Sequence, residues 1–384
     1  MPEFKPVSLE EIEGAYEHLL KKARNKKRTS SAYQGLLDSD NAAIYPLLPV
    51  GVDKMTTRQV ERSASDKQRF FREIQRLFNE VDRQTGLPKF KLKRFKVNTT
   101  EEKKADGTMK QRSTVILSLR DQVMMRIVLD RLTAMLQIPK GWSDMFGIVR
   151  DIHADLRSRK GTPLVIRTDI TMFHPSIDRA MLMAHLKNAL IGKLDARMEY
   201  ILEYVISRYP SAGEVQGLPL GMPTSVILAE FYARVMNLGD LSPGIGLYRY
   251  ADDILIIADE GTDPLDLIAR LDNRLERFGL KRNESKTNVI LNNEFVFLSV
   301  SFIKGVLCID DSRIRKWNHT VWSEVSKDMK AYELLARLDP ARAIPEKREV
   351  AAKAFREYKR GPKSSQWKFI QRVLQLNRTD GQTS

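Results

Sequence analysis

Three carboxylates carry the most chemically informative spacing in this sequence. Asp252 and Asp253 interrupt LYRYADDILIIADE (247–260), where apolar residues on both sides read as the two strands of a hairpin. Asp169 closes LVIRTDI (164–170), a strand whose two-residue period puts Val165, Arg167 and Asp169 on one face. An aspartate pair between strands is also the ordinary composition of a tight turn, and a lone aspartate at a strand end is an ordinary turn or cap residue. Three carboxylates gathered by one sheet are harder to explain that way, because like charges held out of water are costly unless a cation compensates. With one cysteine, Cys308, and five scattered histidines the chain has no zinc-ligand spacing, so a metal here is held by oxygen. Oxygen ligation with open positions suits Mg²⁺, with Mn²⁺ as its substitute. Two such ions about 3.5–4 Å apart serve in-line phosphoryl transfer, activating a hydroxyl and neutralising the leaving pyrophosphate.

The elements that must position these groups are legible from pattern. At 384 residues and 42% hydrophobic content the chain can bury a core and divide into two or three packed subdomains. VSLEEIEGAYEHLLKKAR (7–24) opens with Ser8 and Glu11 in capping-box spacing and sets Leu9, Ile12, Tyr16, Leu19 and Leu20 on one helical face. Residues 55–135 read as basic helices around a β-like pair, RFKVNTT and RSTVILSL, joined through a glycine turn. The middle alternates strand LVIRTDI, helices RAMLMAHLKNAL and VILAEFYARVMNL, the hairpin at Asp252, helix LDLIARLDNRLERFG, and strands TNVILNN and FVFLSVSFI. From about 312 onward, leucine, alanine, lysine and arginine with few strand formers predict a helical unit broken near RGPKSS. The class is α+β with a small antiparallel sheet.

Charge bounds the partners. Lysine and arginine number 64 against 49 acidic residues, a formal net charge of +15, which favours a polyanion. The excess concentrates in KKARNKKR (21–28) and in KFKLKRFK (89–96), where Phe90 and Phe95 interleave with the basic residues. Each run could be a solvated face; together they point to nucleic acid. Neither has a bulky apolar face at helical spacing, which argues against a membrane surface. Apolar stretches are interrupted well short of about 18 residues, and the acidic start MPEFKPVSLEEIE does not suit a signal peptide, so a soluble, cytoplasmic protein is expected.

RTDITMFHPSI, QGLPLGMPTSVILAEFY, YRYADDILI, GLKRNESKTNVI and FVFLSVSF follow one another as the palm motifs of reverse transcriptases do. The chain resembles that family from about 88 to 305, and RSTVILSLRDQVMMRIVLDRL resembles the fingers segment of its bacterial members. The resemblance implies a right-hand polymerase: a basic helical extension over 1–50, fingers over 51–163, a catalytic palm over 164–305 and a helical, thumb-like unit over 306–384. It also implies RNA-directed DNA synthesis from dNTPs. ILAEFY is most similar to the abortive-infection and defence-associated branch, which implies antiphage defence with a dedicated noncoding RNA as template or scaffold. Homo-oligomerisation is left open.

Carried over residue by residue, the resemblance makes Asp169 and Asp252 the main metal ligands, with Asp253 beside them and the Ile170 carbonyl as a backbone ligand. Lys110 and Arg112 match the fingers positions that grip the incoming triphosphate, a task suited to a planar arginine fork. Gly217, Pro219, Gly221 and Pro223 form a loop able to approach a base pair closely, with Ser225 leading into the next helix. Phe173 and His174 fall where related enzymes carry an aromatic wall under the sugar, and histidine departs from that pattern. Lys286 sits where the family places a lysine near the leaving pyrophosphate. FVFLSVSF resembles the primer-grip hairpin, with Ser299 where glycine is commoner. An RNA-templated RNA polymerase shares the same palm, and a non-catalytic RNA-binding relative would share the basic runs; both remain alternatives.

Overall fold

The computed structural model describes residues 4–25, 57–93, 96–103, 109–138, 144–207, 217–292, 294–303, 306–310, 369 and 372–377. In chain order its elements begin with α1 (Leu9–Asn25), α2 (Thr57–Asn79), β1 (Lys96–Lys103), β2 (Met109–Ile116), α3 (Leu119–Leu136), α4 (Met145–Ser158) and β3 (Leu164–Asp169). They continue with α5 (Arg179–Ala189), α6 (Ala196–Ser207), α7 (Pro223–Val235), β4 (Gly246–Tyr250), β5 (Asp253–Ala258) and α8 (Pro264–Glu276). The last are β6 (Asn288–Ile290), β7 (Glu294–Phe297), β8 (Val300–Ile303) and β9 (Val306–Ile309). This mixture of helices and antiparallel strands is the α+β class expected. The chain divides into two compact units.

The first unit comprises residues up to 138, 172–236 and 278–280. Its α1 forms the expected capping box: the Glu11 amide donates to Ser8 Oγ (3.1 Å) and the Ser8 amide to Glu11 Oε2 (3.0 Å). Ile12 and Tyr16 are buried, and Tyr16 meets Phe71 of α2 edge to face at 5.5 Å, whereas Leu9 at the first turn stays exposed. Arg131 of α3 grips Glu11 through both carboxylate oxygens at 3.0 Å, fastening α1 to α3. β1 and β2 pair as an antiparallel hairpin, as the sequence predicts.

The second unit comprises 139–171, 237–277 and 281–384. A four-stranded sheet in the order β4-β5-β3-β6 faces a core in which Val165, Leu255 and Ile257 meet Val149 and Ile152 of α4. The same core takes in Phe295, Phe297 and Phe302 from a second sheet, β7-β8-β9, with Phe295 and Phe302 stacked at 4.7 Å. Residues 165, 255 and 257 share a face by alternation, so burying them fixes which way the two ends of the sheet point.

The strand pairing adds two details to the expected layout. The small sheet predicted for the palm is split into separate four- and three-stranded sheets among the described residues. β8 and β9 pair as antiparallel neighbours on either side of position 305. Of the helical unit expected beyond 312, the structure describes only 369 and a helical stretch at 372–377, whose Val373 is fully buried in the second unit's core. Asn377 bonds the Leu307 backbone reciprocally, its Nδ2 donating to Leu307 O (2.7 Å) and its Oδ1 accepting from Leu307 N (3.0 Å). The break near RGPKSS and the last three residues of KKARNKKR (26–28) lie outside the described residues, as do the side chains of 21–25, which end α1. No described helix is long and apolar enough to cross a membrane.

Candidate active site

The antiparallel register of β3 and β5 sets Asp169 directly opposite Asp253. The ladder runs one step past the strand end, where the Ile170 amide donates to Asp252 O at 3.0 Å. β4 returns into β5 through Ala251 and Asp252, and Ala251 takes φ 54°, the left-handed region that an L-residue enters at a cost. Arg249 holds that turn, its Nη1 donating to Ala251 O at 3.0 Å. Both carboxylate-bearing segments are thus fixed by backbone bonds.

Asp169 is 8% exposed, and its Oδ1 is buried with no hydrogen-bond partner, while Oδ2 accepts from the Lys286 ammonium. Burial pushes the Asp253 carboxyl above its usual range, and the charges of Asp252 and Asp169 add to this against Arg167 and Lys286. The strand ends therefore concentrate negative charge that the protein's own cations offset in part. No three His, Cys, Asp or Glu side chains form a ready-made cage among the described residues. The donor set nevertheless fits a hard divalent cation: carboxylate oxygens on adjacent strand ends, one of them buried and unbonded.

Lys286 is delivered by a clamped segment. Thr171 N donates to Lys281 O (2.8 Å) and Asn283 N to Asp169 O (2.8 Å), bridging Ile170 with Arg282. Neither bond uses the Ile170 carbonyl proposed as a ligand. Arg282 then forks onto Asp272 of α8 (2.8 and 2.9 Å) and donates to Thr287 Oγ1 (2.6 Å), which lies 2.9 Å from the hydroxyl of buried Thr168. Sequence reasoning missed Arg282, Asp272, Thr287 and Thr168. The available signal was the polar run KRNESKT between a helix and a strand, too polar to be held by burial alone.

In the first unit, the expected loop is fastened to its neighbours. Leu218 N donates to His174 O (2.7 Å), and Arg179 Nε donates to Gly217 O (2.9 Å). A Cβ on Gly217 would lie 2.3 Å from His174 O, so only glycine permits this approach. Gly221 takes φ 91° where the loop pairs with β2 through Val115 N to Leu220 O at 2.8 Å. Ser225 is buried inside α7, which starts earlier than predicted, with Pro223 in its first turn; its hydroxyl donates to Pro219 O (2.7 Å). Phe173 is buried and His174 half-buried. Lys110 and Arg112 stand opposite Glu102 and Thr100 in the β-hairpin register, with their side chains outside the described residues.

A profile of the reverse transcriptase (RNA-dependent DNA polymerase) family matches residues 102–302, more than half of the chain. The chain belongs to the reverse transcriptase family. Its members are nucleotidyltransferases, and every candidate residue of this member lies inside the matched stretch. Among solved structures it is similar to apo telomerase from Candida tropicalis truncated from the C-terminal domain, with 13% identity, TM-score 0.42, and coverage of 56% of this chain and 55% of that one. It is also similar to apo telomerase from Candida tropicalis, with 14% identity, TM-score 0.44 and coverage of 57% and 48%. A third is telomerase from Candida albicans in complex with a fragment of telomeric RNA, with 11% identity, TM-score 0.44 and coverage of 73% and 57%. The chain spans about half the length of these structures. No curated protein matches it in sequence.

This reverse transcriptase family member departs from the common pattern at the β7–β8 turn. Leu298 (φ 50°) and Ser299 (φ 64°) are both left-handed, the backbone of a type I′ hairpin, which ordinarily takes Asn-Gly. Serine has been placed in the glycine geometry without glycine's freedom.

Proposed function

We propose that this chain is an RNA-directed DNA polymerase that extends a primer with dNTPs by two-metal-ion nucleotidyl transfer. The observation carrying the proposal is the pairing of Asp169 with Asp253 across β3 and β5, with one Asp169 oxygen buried and unbonded. A buried carboxylate oxygen in that state is destabilising unless a cation joins it. Asp169, Asp252 and Asp253, with the Ile170 carbonyl, would hold Mg²⁺ or Mn²⁺. When bound, these ions neutralise phosphoryl charge and lower the pKa of the attacking hydroxyl.

The chain's own residues position and balance charge. Burial and the neighbouring Asp252 and Asp169 hold the Asp253 carboxyl above its usual range, and positive charge entering beside it would bring it down. Lys286, on its clamped turn, keeps an ammonium at the carboxylates, where it stabilises or protonates the departing pyrophosphate. The turn carrying Phe173 and His174, joined to the Gly217–Ser225 loop, supports the sugar and base of the incoming nucleotide, and Lys110 and Arg112 hold its triphosphate. On this reading residues 51–163 are fingers, 164–305 the palm and 306–384 a helical, thumb-like unit.

The resemblance of ILAEFY, which falls within α7, supports a place in bacterial antiphage defence, in the cytoplasm, with a dedicated noncoding RNA and a DNA product. The test is to purify the protein from its host, sequence the bound nucleic acid, and supply dNTPs or rNTPs with Mg²⁺. DNA complementary to the bound RNA is expected. RNA product, or none on any template, overturns the proposal.

A further inference from the structure

The first unit contains an open cleft of about 730 Å³ whose lining shares no residue with the carboxylate site. Arg76, Lys89, Lys91, Lys93 and Arg120 line it, against the carboxylates of Glu73 and Asp82. Burial alternates along the 89–93 segment: Phe90 and Leu92 are buried, Lys89 is half-buried, and Lys91 and Lys93 are exposed. That is the period of an extended chain, and it repeats a lysine every ~6.6 Å. The spacing is close to that of successive phosphates along an extended nucleic-acid strand.

The segment is held rigidly in this form. Lys89 N donates to Glu80 O (3.0 Å), Leu92 N to Tyr204 Oη (3.3 Å) and Lys93 N to Asp121 Oδ2 (3.0 Å), while Arg120 Nη2 donates to Lys91 O (3.0 Å). Tyr204 is thus part of the scaffold, and it meets Phe90 edge to face at 5.8 Å. Tyr200, one turn earlier on α6, stacks on Tyr204 with ring centroids 6.3 Å apart and planes 25° apart, and both rings line the cleft. Arg197 on the same helix donates to the Phe78 and Asn79 carbonyls at the end of α2, fixing α6 in place.

We infer that this cleft binds a single strand of nucleic acid, with Lys91 and Lys93 on successive phosphates and Tyr200 stacked under a base. A cationic track beside an aromatic platform is the combination that binds single strands without reading sequence. Duplex offers no exposed base face to the tyrosine. An acidic peptide would satisfy the lysines but leave the stacked rings unused. The inference rests on the polymerase reading only in expecting a nucleic-acid partner.

The test uses the full chain and fluorescein-labelled oligo(dT) and oligo(rU), with anisotropy measured across a salt series. Tyr200→Ala should weaken binding by about 10-fold, and Tyr200→Phe should keep it, since stacking survives loss of the hydroxyl. Lys91→Gln with Lys93→Gln should flatten the salt dependence by about 1.4 log units per decade, at ~0.7 for each phosphate no longer neutralised. Nucleotide addition on a short primer–template without a long single-stranded overhang should be unchanged in these variants. Wild-type binding by Tyr200→Ala, an unaltered salt slope in the lysine variant, or equal competition by oligoglutamate of matched charge would each overturn the inference. Failure of the polymerase reading would look different: no nucleotide addition by the wild type, with the binding differences intact.

Discussion

Replacing Gly217 by alanine should destabilise the first unit by an amount that can be worked from its surroundings. The new Cβ would lie 2.3 Å from His174 O and 2.4 Å from Pro175 O, both backbone atoms, against a floor of 3.0 Å for such approaches. Neither partner can rotate away, so the loop and the His174 turn must separate by at least 0.7 Å. That separation stretches the 2.7 Å bond from the Leu218 amide, a residue with no exposed surface. Leaving such a donor unsatisfied costs about 1–3 kcal/mol, and forcing the overpacked neighbours apart costs about 1–3 kcal/mol more. A total of about 2–6 kcal/mol, at about 2–4 °C per kcal/mol for a unit of 150–250 residues, lowers Tm by about 4–24 °C. Calorimetry measures it, with Gly14→Ala as the control. Gly14 lies inside α1 with no atom within 4 Å of its virtual Cβ, so that variant should melt at or slightly above wild type. If Gly217→Ala melts within about 1 °C of wild type, the clamp between Leu218 and His174 is not a tight one and the loop is held by something else.

Other consequences can be measured in the same preparations. Ser299→Gly removes a left-handed serine that costs roughly 1–2 kcal/mol, partly offset by about 0.4–1 kcal/mol of added unfolded-chain entropy, so Tm should rise slightly; a fall would show that the serine side chain stabilises the turn. Because the Asp253 carboxyl is raised above its unfolded value, the contribution of this group to stability is largest below about pH 3.8 and declines as pH rises through its folded pKa. In EDTA, Asp253→Asn should therefore melt higher than wild type at neutral pH and lose this advantage in acid; a neutral-pH loss would contradict the charge crowding at the strand ends. If His174 gates the sugar, His174→Phe should lower rNTP relative to dNTP incorporation and His174→Ala should raise it. An unchanged ratio in both would remove His174 from that role and strengthen the RNA-polymerase alternative.

The strands carrying the carboxylates were legible because they combine a two-residue apolar period with acids at the ends. That period fixes register wherever one face is buried, so all three carboxylates could be expected at the strand ends of one sheet, whereas the register that sets Asp253 opposite Asp169 was not legible. The Ser8–Glu11 capping box was legible for a similar reason, since both partners are local. What the sequence did not disclose is long-range and polar. The Arg282 link to Asp272, Thr287 and Thr168 depends on where a loop crosses a strand end, and no periodicity encodes that. The burial of Ser225 against Pro219 O was likewise hidden, because a serine near a helix start reads equally well as a cap. Leu9 shows the opposite error: its helical spacing is apolar, yet the first turn extends past the neighbouring helices' cover. The β7–β8 turn was flagged by Ser299 standing where glycine is commoner, and its two positive φ values identify the strain.

Whether the paired strand ends are a catalytic centre is decided by steady-state nucleotide addition in Asp169→Asn, Asp252→Asn and Asp253→Asn, each made alone and compared with wild type at saturating Mg²⁺. An amide keeps the shape and removes the ligand charge, and the metal clamp supplies several kcal/mol, so each variant should lose at least about 100-fold in turnover while melting as a folded protein. Wild-type turnover in the folded Asp169→Asn and Asp253→Asn proteins would show that the paired strand ends are a structural turn and not a catalytic centre.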